Sequence, residues 1–181
     1  MNTEKIYFVA VLPDQTLQDE VTEFKEYAAE HFNTKRALTS PPHITIQSPF
    51  RWNKHNLHPI RVTLEKVCKS HTPFEISLKN FDKFAPRVIF VDVELSDDLI
   101  WLHQNLQSQM KEEHGLEDRF DGFHPHMTVA FKDLKKKIFP NAWKYFSKVK
   151  YQKTFLANQL TLLEHNGKNW EILETFELTN Q

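Results

Sequence analysis

Two histidines in this chain of 181 residues each precede a threonine by two positions, in closely similar surroundings. The first pair is in "PPHITIQ", residues 41–47, and the second is in "HPHMTVAF", residues 124–131. Because side chains alternate across a β-strand, each segment predicts a strand with one apolar face and one polar face. The polar side chains are His43 and Thr45 in the first segment, and His126 and Thr128 in the second.

These four side chains could together cleave a phosphodiester without a metal. Histidine titrates near neutral pH, so one imidazole can accept a proton while the other, already charged, donates one. The two threonine hydroxyls can donate hydrogen bonds to the phosphate oxygens on which negative charge develops. We therefore predict His43 and His126 as a catalytic pair and Thr45 and Thr128 as phosphate ligands. Two strand histidines that form only local hydrogen bonds are the alternative.

The elements around the two motifs follow the same order in each half of the chain. The first half predicts strand, helix, motif strand, helix and strand, at residues 5–12, 14–32, 43–47, 57–70 and 74–81. The second half repeats the first four at residues 87–95, 96–115, 126–131 and 134–147. It then predicts one strand over "TFLANQLTLLEH" and another over "WEILETFEL", joined by a turn at Asn166-Gly167.

This order predicts an α+β fold built as two lobes. The distance from Val9 to His43 is 34 residues and that from Val91 to His126 is 35, which favours duplication of one unit. We expect a single bilobal domain over residues 1–181, with pseudo-repeats at about 5–81 and 87–164 and a closing hairpin at about 153–178. A pseudo-twofold arrangement would bring the polar faces of both motif strands into one cleft.

The composition excludes several other classes of protein. A net charge of −1 argues against tight binding of long nucleic acid, which needs many phosphates to be neutralised. Three glycines cannot form a glycine-rich phosphate loop, and Cys68 alone provides neither a disulfide nor a paired-cysteine metal site. The apolar run at the start of the sequence is too short to span a membrane. We expect a cytoplasmic monomer with no cofactor and no membrane contact.

Several other residues near the motifs carry more than one interpretation. His124 could chelate a metal together with His126, but no further ligand stands at a familiar spacing. The basic residues after each motif are either a solvated surface or a positive rim that attracts phosphates. Phe50, Phe84, Phe123 and Phe131 are core candidates, one of which could stack on a base. The basic residues are Arg51, Lys54, His55, His58 and Arg61, and then Lys132, Lys135, Lys136 and Lys137.

The segments "PPHITIQ" and "FHPHMTVAF" resemble the paired HxTx motifs of the two-histidine (2H) phosphoesterase superfamily. The similarity is to its 2′-5′ RNA ligase-like and cyclic nucleotide phosphodiesterase branches. The opening "IYFVAVLP" is similar to the first strand of that family, and "LTLLEHNGKNWEILETFEL" resembles its closing hairpin. Glycine or arginine follows the motifs in many members, whereas this chain has Gln47-Ser48 and Ala130-Phe131. The resemblance therefore leaves the substrate open.

The resemblance implies antiparallel-rich sheets that line a central cleft, with His43 and His126 as the catalytic pair and Thr45 and Thr128 as phosphate ligands. It implies metal-independent hydrolysis of 2′,3′-cyclic or related cyclic phosphates, or reaction at 2′-5′ RNA linkages. The expected substrate is a small cyclic phosphate or an RNA terminus. Two alternatives stay open. One is a non-catalytic RNA- or nucleotide-binding module of the same fold, and the other is a metallohydrolase.

Overall fold

The computed structural model describes residues 3–118 and 122–180, which form eight β-strands, four α-helices and one short 3-10 helix at Arg36–Thr39. The strands are β1 (Glu4–Val11), β2 (Ile44–Asn53), β3 (Phe74–Phe84), β4 (Val88–Val93), β5 (His126–Ala130), β6 (Gln152–Ala157), β7 (Gln159–His165) and β8 (Trp170–Glu177). The helices are α1 (Gln15–Phe32), α2 (His58–Cys68), α3 (Asp97–His114) and α4 (Phe139–Phe146). No helix in the described ranges has the length and apolar character that crossing a membrane requires.

The strands form two four-stranded sheets in which every pairing is antiparallel. The first sheet has the order β2-β1-β7-β8 and the second has the order β5-β4-β3-β6. The two motif strands, β2 and β5, therefore occupy the edge of their sheets, and these two edges contact each other. The predicted α+β class and the antiparallel sheets in two lobes are confirmed.

The two long helices begin and end where the sequence places their caps. Asp14 accepts a hydrogen bond from the amide of Leu17 at 3.1 Å, and Ser96 accepts one from the amide of Leu99 at 3.2 Å. Gly115 ends α3 with a φ of 66°, a left-handed conformation that a residue without a Cβ adopts at low cost. The helix ends are thus determined by local side-chain chemistry.

Each long helix packs against the sheet that contains the other half's motif strand. Helix α1 contacts β5, whereas α3 contacts β2. Phe24 of α1 lies against Phe81 of β3 with ring centroids 4.9 Å apart, and against Phe146 of α4 at 6.5 Å. One apolar core therefore spans both sheets and all four helices, which fixes the two motif strands relative to each other.

Several predicted elements differ in extent from those in the structure. The strands predicted over 43–47 and 74–81 both run further, to Asn53 and Phe84. The segment 154–165 is not one strand, because the chain leaves the second sheet after Ala157 and enters the first at Gln159. The apolar pattern continues across Asn158 with no glycine or proline to mark the change. The helix predicted over 134–147 begins only at Phe139, because Pro140 has no amide hydrogen and suits the first turn of a helix.

Strands β3 and β7 cross between the halves. β3 follows the first motif along the chain but pairs with β4 and β6 in the second sheet. β7 follows the second motif but pairs with β1 in the first sheet. The segment 81–87, predicted to separate the two halves, is the end of β3 and the turn into β4. The division into pseudo-repeats at 5–81 and 87–164 stays a prediction.

Candidate active site

Each motif histidine lies at the start of an edge strand. His43 directly precedes β2 and His126 is the first residue of β5. Ile44, Ile46, Met127 and Val129 are buried in the main core, whereas His43, Thr45, His126 and Thr128 are half-buried on the opposite faces. The predicted alternation is confirmed for both strands. Because the edges of the sheets meet, the two polar faces lie at one junction.

The same local hydrogen bond orients each histidine. Nδ1 of His43 lies 2.7 Å from the carbonyl oxygen of Pro41, and Nδ1 of His126 lies 2.7 Å from that of His124. A carbonyl oxygen can only accept, so Nδ1 of both rings carries a hydrogen and donates it. In the neutral ring the other nitrogen, Nε2, is then unprotonated and can accept a proton. In the charged ring Nε2 can donate one.

Aromatic rings stand next to both histidines, and they were not among the predicted site residues. The ring of Phe8 on β1 lies 4.8 Å from that of His43, and the ring of Phe90 on β4 lies 4.9 Å from that of His126. Phe84, which was a core candidate, is exposed and packs edge-on to His126 at 5.1 Å. A signal was present in the sequence, since Phe-Val-x-Val recurs at residues 8–11 and 90–93.

His43 lies in surroundings with little access to water, with the ring of Phe8 against it. Burial lowers the pKa of His43 to about 4, and the nearby positive charges of Lys25 and His126 act in the same direction. The hydrogen bond to the Pro41 carbonyl opposes this by favouring the charged ring. The electrostatic influence of His126 on His43 indicates that the two imidazoles lie in one site. His43 is neutral at neutral pH.

His126 has a different electrostatic environment. Burial lowers the pKa of His126 below its usual value, and the nearby charge of His124 acts in the same direction. The hydrogen bond to the His124 carbonyl and the negative charge of Asp92 oppose this without reversing it. Asp92 lies on β4 directly opposite His126, and its Oδ1 is 3.7 Å from Nε2 of His124. The first half has Ala10 where the second has Asp92 in the repeated strand segment. The carboxylate therefore favours the charged form of His126 alone.

The hydroxyls of Thr45 and Thr128 form no hydrogen bond with another residue in the part of the chain that the structure describes. Thr45 lies opposite Ala10 on β1, and Thr128 lies opposite Phe90 on β4. Each follows its histidine by two residues on the same face of the strand. Two half-buried hydroxyls are therefore available to bind a substrate beside the two imidazoles.

The remaining candidates are dispersed. Arg61 of α2 forms an ion pair with Glu174 of β8 at 2.5 Å, and Arg51 is exposed near the end of β2. Phe50 is part of the main core, and Phe123 stacks on His103 with centroids 3.9 Å apart. Among residues 3–118 and 122–180, no three histidine, cysteine, aspartate or glutamate side chains are grouped so that they could hold a metal ion.

A buried lysine next to the site was also missed. Lys25 of α1 is only 2% exposed, and its Nζ donates a hydrogen bond to the carbonyl oxygen of Ser40 at 2.9 Å. It lines a groove of about 380 Å³ together with Pro41, Pro42 and Trp170. Lys25 lies on the buried face of α1 together with Val21 and Ala28. It was missed because a lysine in a helix usually indicates a solvent-exposed position.

Comparison with known proteins identifies relatives over almost the whole chain. A Bacillus pumilus protein named "Putative phosphoesterase" is 28% identical over 176 residues, which cover 95% of this chain and 96% of that protein. The crystal structure of TT0787 of Thermus thermophilus superposes with a TM-score of 0.69 at 16% identity and covers 96% of this chain and 97% of its own. That of Escherichia coli LigT complexed with 3′-AMP gives 0.68 at 16% identity and covers 97% and 99%.

These structural similarities show the fold. The family model described as the 2′-5′ RNA ligase superfamily matches residues 13–169, a range that includes both HxTx motifs. The phosphoesterase names of the relatives agree with that match. Since the match covers most of its length, this chain belongs to the 2′-5′ RNA ligase superfamily of two-histidine phosphoesterases.

Proposed function

We propose that this protein is a metal-independent phosphodiesterase that hydrolyses a small cyclic phosphate, with nucleoside 2′,3′-cyclic phosphates or an RNA terminus that ends in one as the substrate class. The observation that carries the proposal is the matched orientation of His43 and His126, each held by an Nδ1–H donated to a backbone carbonyl. This arrangement leaves Nε2 of both rings for proton transfer at one junction. The 3′-AMP in the LigT complex is a nucleoside monophosphate, the same chemical class as the product of this reaction.

The different surroundings of the two histidines support a separate role for each. His43, whose pKa is about 4, is neutral over most of the pH range and accepts a proton from the attacking water through Nε2. The Asp92 carboxylate favours the charged form of His126, which donates a proton from Nε2 to the leaving oxygen. The anionic phosphate of a bound substrate favours this charged ring further.

Hydrolysis then proceeds with one proton taken and one given. As His43 removes a proton from water, the water oxygen forms a bond to phosphorus and the bond from phosphorus to one ribose oxygen breaks. His126 protonates that ribose oxygen, which leaves a phosphomonoester. The hydroxyls of Thr45 and Thr128 donate hydrogen bonds to the non-bridging oxygens, where charge increases in the transition state. Both proton transfers are thus supplied by side chains.

The first experiment is hydrolysis of nucleoside 2′,3′-cyclic phosphates with EDTA present, comparing the wild type with His43→Ala and His126→Ala. We expect turnover by the wild type and a loss of about 10²-fold or more in each variant. Wild-type protein that is folded and binds 3′-AMP but gives no turnover would favour a non-catalytic nucleotide-binding module. Activity that EDTA abolishes would favour a metallohydrolase.

A substrate with a good leaving group tests the two roles separately. In bis(p-nitrophenyl) phosphate the p-nitrophenolate departs without protonation, so the general acid is not needed. We expect His126→Ala to retain much of the wild-type rate on this substrate and His43→Ala to lose it. The opposite pattern would reverse the assignment of acid and base.

The 2′-5′ RNA linkage is a second candidate substrate, favoured by the family match over residues 13–169. Such a linkage presents a phosphodiester to the same four side chains. Incubation of a 2′-5′-linked dinucleotide with the protein, in parallel with its 3′-5′ isomer, would test it. Cleavage of the 2′-5′ isomer that requires His43 and His126 would establish this activity, and equal resistance of both isomers would remove it.

A further inference from the structure

Lys25 occupies an environment that is unfavourable for an ammonium group. Its side chain is 2% exposed, and burial lowers its pKa to about 7. Burial is the one influence on that pKa within the part of the chain that the structure describes, so no carboxylate compensates the charge. Burying a charge without a counter-ion is unfavourable, and an apolar side chain at this helix position would avoid that cost. The packing of α1 gives no reason for a lysine.

Lys25 is connected to His43 through two consecutive backbone carbonyls. Nζ of Lys25 donates to the carbonyl oxygen of Ser40 at 2.9 Å, and the next carbonyl along the chain, that of Pro41, accepts the hydrogen bond from Nδ1 of His43 at 2.7 Å. Between these two carbonyls, the ring of Pro41 fixes the φ of Pro41, and the following Pro42 restricts its ψ. Holding the Ser40 carbonyl therefore restrains the direction of the Pro41 carbonyl, and with it the imidazole plane of His43.

The equivalent position in the other long helix also contacts the first motif. Lys25 follows the N-cap Asp14 of α1 by 11 residues, and Gln107 follows the N-cap Ser96 of α3 by the same interval. Nε2 of Gln107 donates to the carbonyl oxygen of Ile46 at 2.9 Å. The two helices thus place a donor on either side of the segment that contains His43. Of these two donors, Lys25 alone carries a charge.

The charged groups around the two histidines therefore differ, and His126 has the charge of His124 near it as well as that of Asp92. Lys25 places a positive charge near His43, which also senses His126, while Phe8 excludes water from one side of the ring. His126 has the negative Asp92 opposite it. Glu171 is exposed at the rim of the groove that Lys25 lines, where it accepts a hydrogen bond from Asn166. Lys25 is charged at the acidic pH at which His43 is neutral and His126 is charged.

We propose that Lys25 is a positioning residue for His43: its ammonium group restrains the carbonyl that leads to the His43 hydrogen bond, and its positive charge favours the neutral, proton-accepting imidazole. This inference rests on the proposed function, because His43 acts there as the general base. Lys25 does not contact the reacting atoms and acts only through His43.

The test compares Lys25→Met, which removes charge and donor, with Lys25→Arg, which keeps both. Gln107→Met is the matched control, since it removes an uncharged donor from the equivalent helix position. On a nucleoside 2′,3′-cyclic phosphate we expect Lys25→Met to lower kcat by about 10- to 100-fold with little change in KM, because a misplaced base slows the chemical step. Lys25→Arg should restore most of the rate.

The pH dependence separates this role from a merely structural one. Removing the charge should raise the pKa of His43 and move the acid limb of kcat/KM to higher pH. Gln107→Met should leave that limb in place. Lys25→Met protein that is folded, with the wild-type kcat and the wild-type acid limb, would overturn the proposal.

A second readout needs neither turnover nor a natural substrate. Nuclear magnetic resonance titration of the His43 ring in wild type, Lys25→Met and Lys25→Arg measures its protonation directly. A higher pKa of His43 in Lys25→Met than in Lys25→Arg supports the charge effect even where the proposed substrate proves wrong. An equal pKa of His43 in all three proteins contradicts it. If Lys25→Met does not fold, the same comparison is made with Lys25→Gln.

Discussion

Acidification should destabilise the fold through His43. The pKa of His43 is about 4 in the folded protein and about 6.5 in an unfolded chain, so the unfolded state binds more protons between these values. Stability that is fully present above pH 6.5 is therefore lost as the pH falls to 4. The full loss is about 3 kcal/mol, of which about 2 kcal/mol should appear between pH 7 and pH 5.

The assay is urea unfolding at pH 7 and at pH 5, followed by tryptophan fluorescence, for the wild type and for His43→Gln. Glutamine does not titrate, so the variant should lack about 2 kcal/mol of the wild-type loss between the two pH values. His55→Gln, which removes an exposed histidine after β2, serves as the control and should behave as the wild type. An unchanged pH dependence in His43→Gln would refute the account of a desolvated, neutral imidazole.

Three further predictions concern the threonines, a helix cap and the core. Thr45→Val and Thr128→Val should each lower kcat/KM on a nucleoside 2′,3′-cyclic phosphate by about 10²-fold, through loss of a donor to the phosphate; wild-type kinetics in both would remove them from the site. Ser96→Ala should lower the free energy of unfolding by about 1 kcal/mol, since the amide of Leu99 loses its partner. Leu102→Ala, at a fully buried position of α3, should cost about 2–5 kcal/mol in the same urea assay, and a cost under about 1 kcal/mol would contradict its place in the core.

The parts of this fold that were predictable depend on local patterns. Alternation of polar and apolar residues gives both motif strands and the face on which each histidine lies, because the period of a strand is a property of its own backbone. The ends of α1 and α3 follow from Asp14 and Ser96, whose side chains bond to amides three residues later. Such signals need no knowledge of the rest of the chain.

The parts that were missed depend on which segments meet. The exchange of β3 and β7 between the sheets follows from strand pairing, and the apolar run across Asn158 is the same whether one strand or two are formed. Lys25 was missed because a lysine on a helix is usually solvated, and its burial results from packing against distant residues. Phe8 and Phe90 are themselves buried, and only the paired sheets reveal that their rings contact the histidines.

The most direct test of the central claim is the pH dependence of kcat/KM for a nucleoside 2′,3′-cyclic phosphate in the presence of EDTA. If neutral His43 accepts a proton and charged His126 donates one, the curve is bell-shaped. With increasing pH, kcat/KM should rise through the pKa of His43 near pH 4 and then fall through the lowered pKa of His126. Both limbs are expected because kcat/KM reports the pKa values of the free enzyme. A value of kcat/KM that does not change with pH, or that follows a single ionisation, would contradict catalysis by the two histidines.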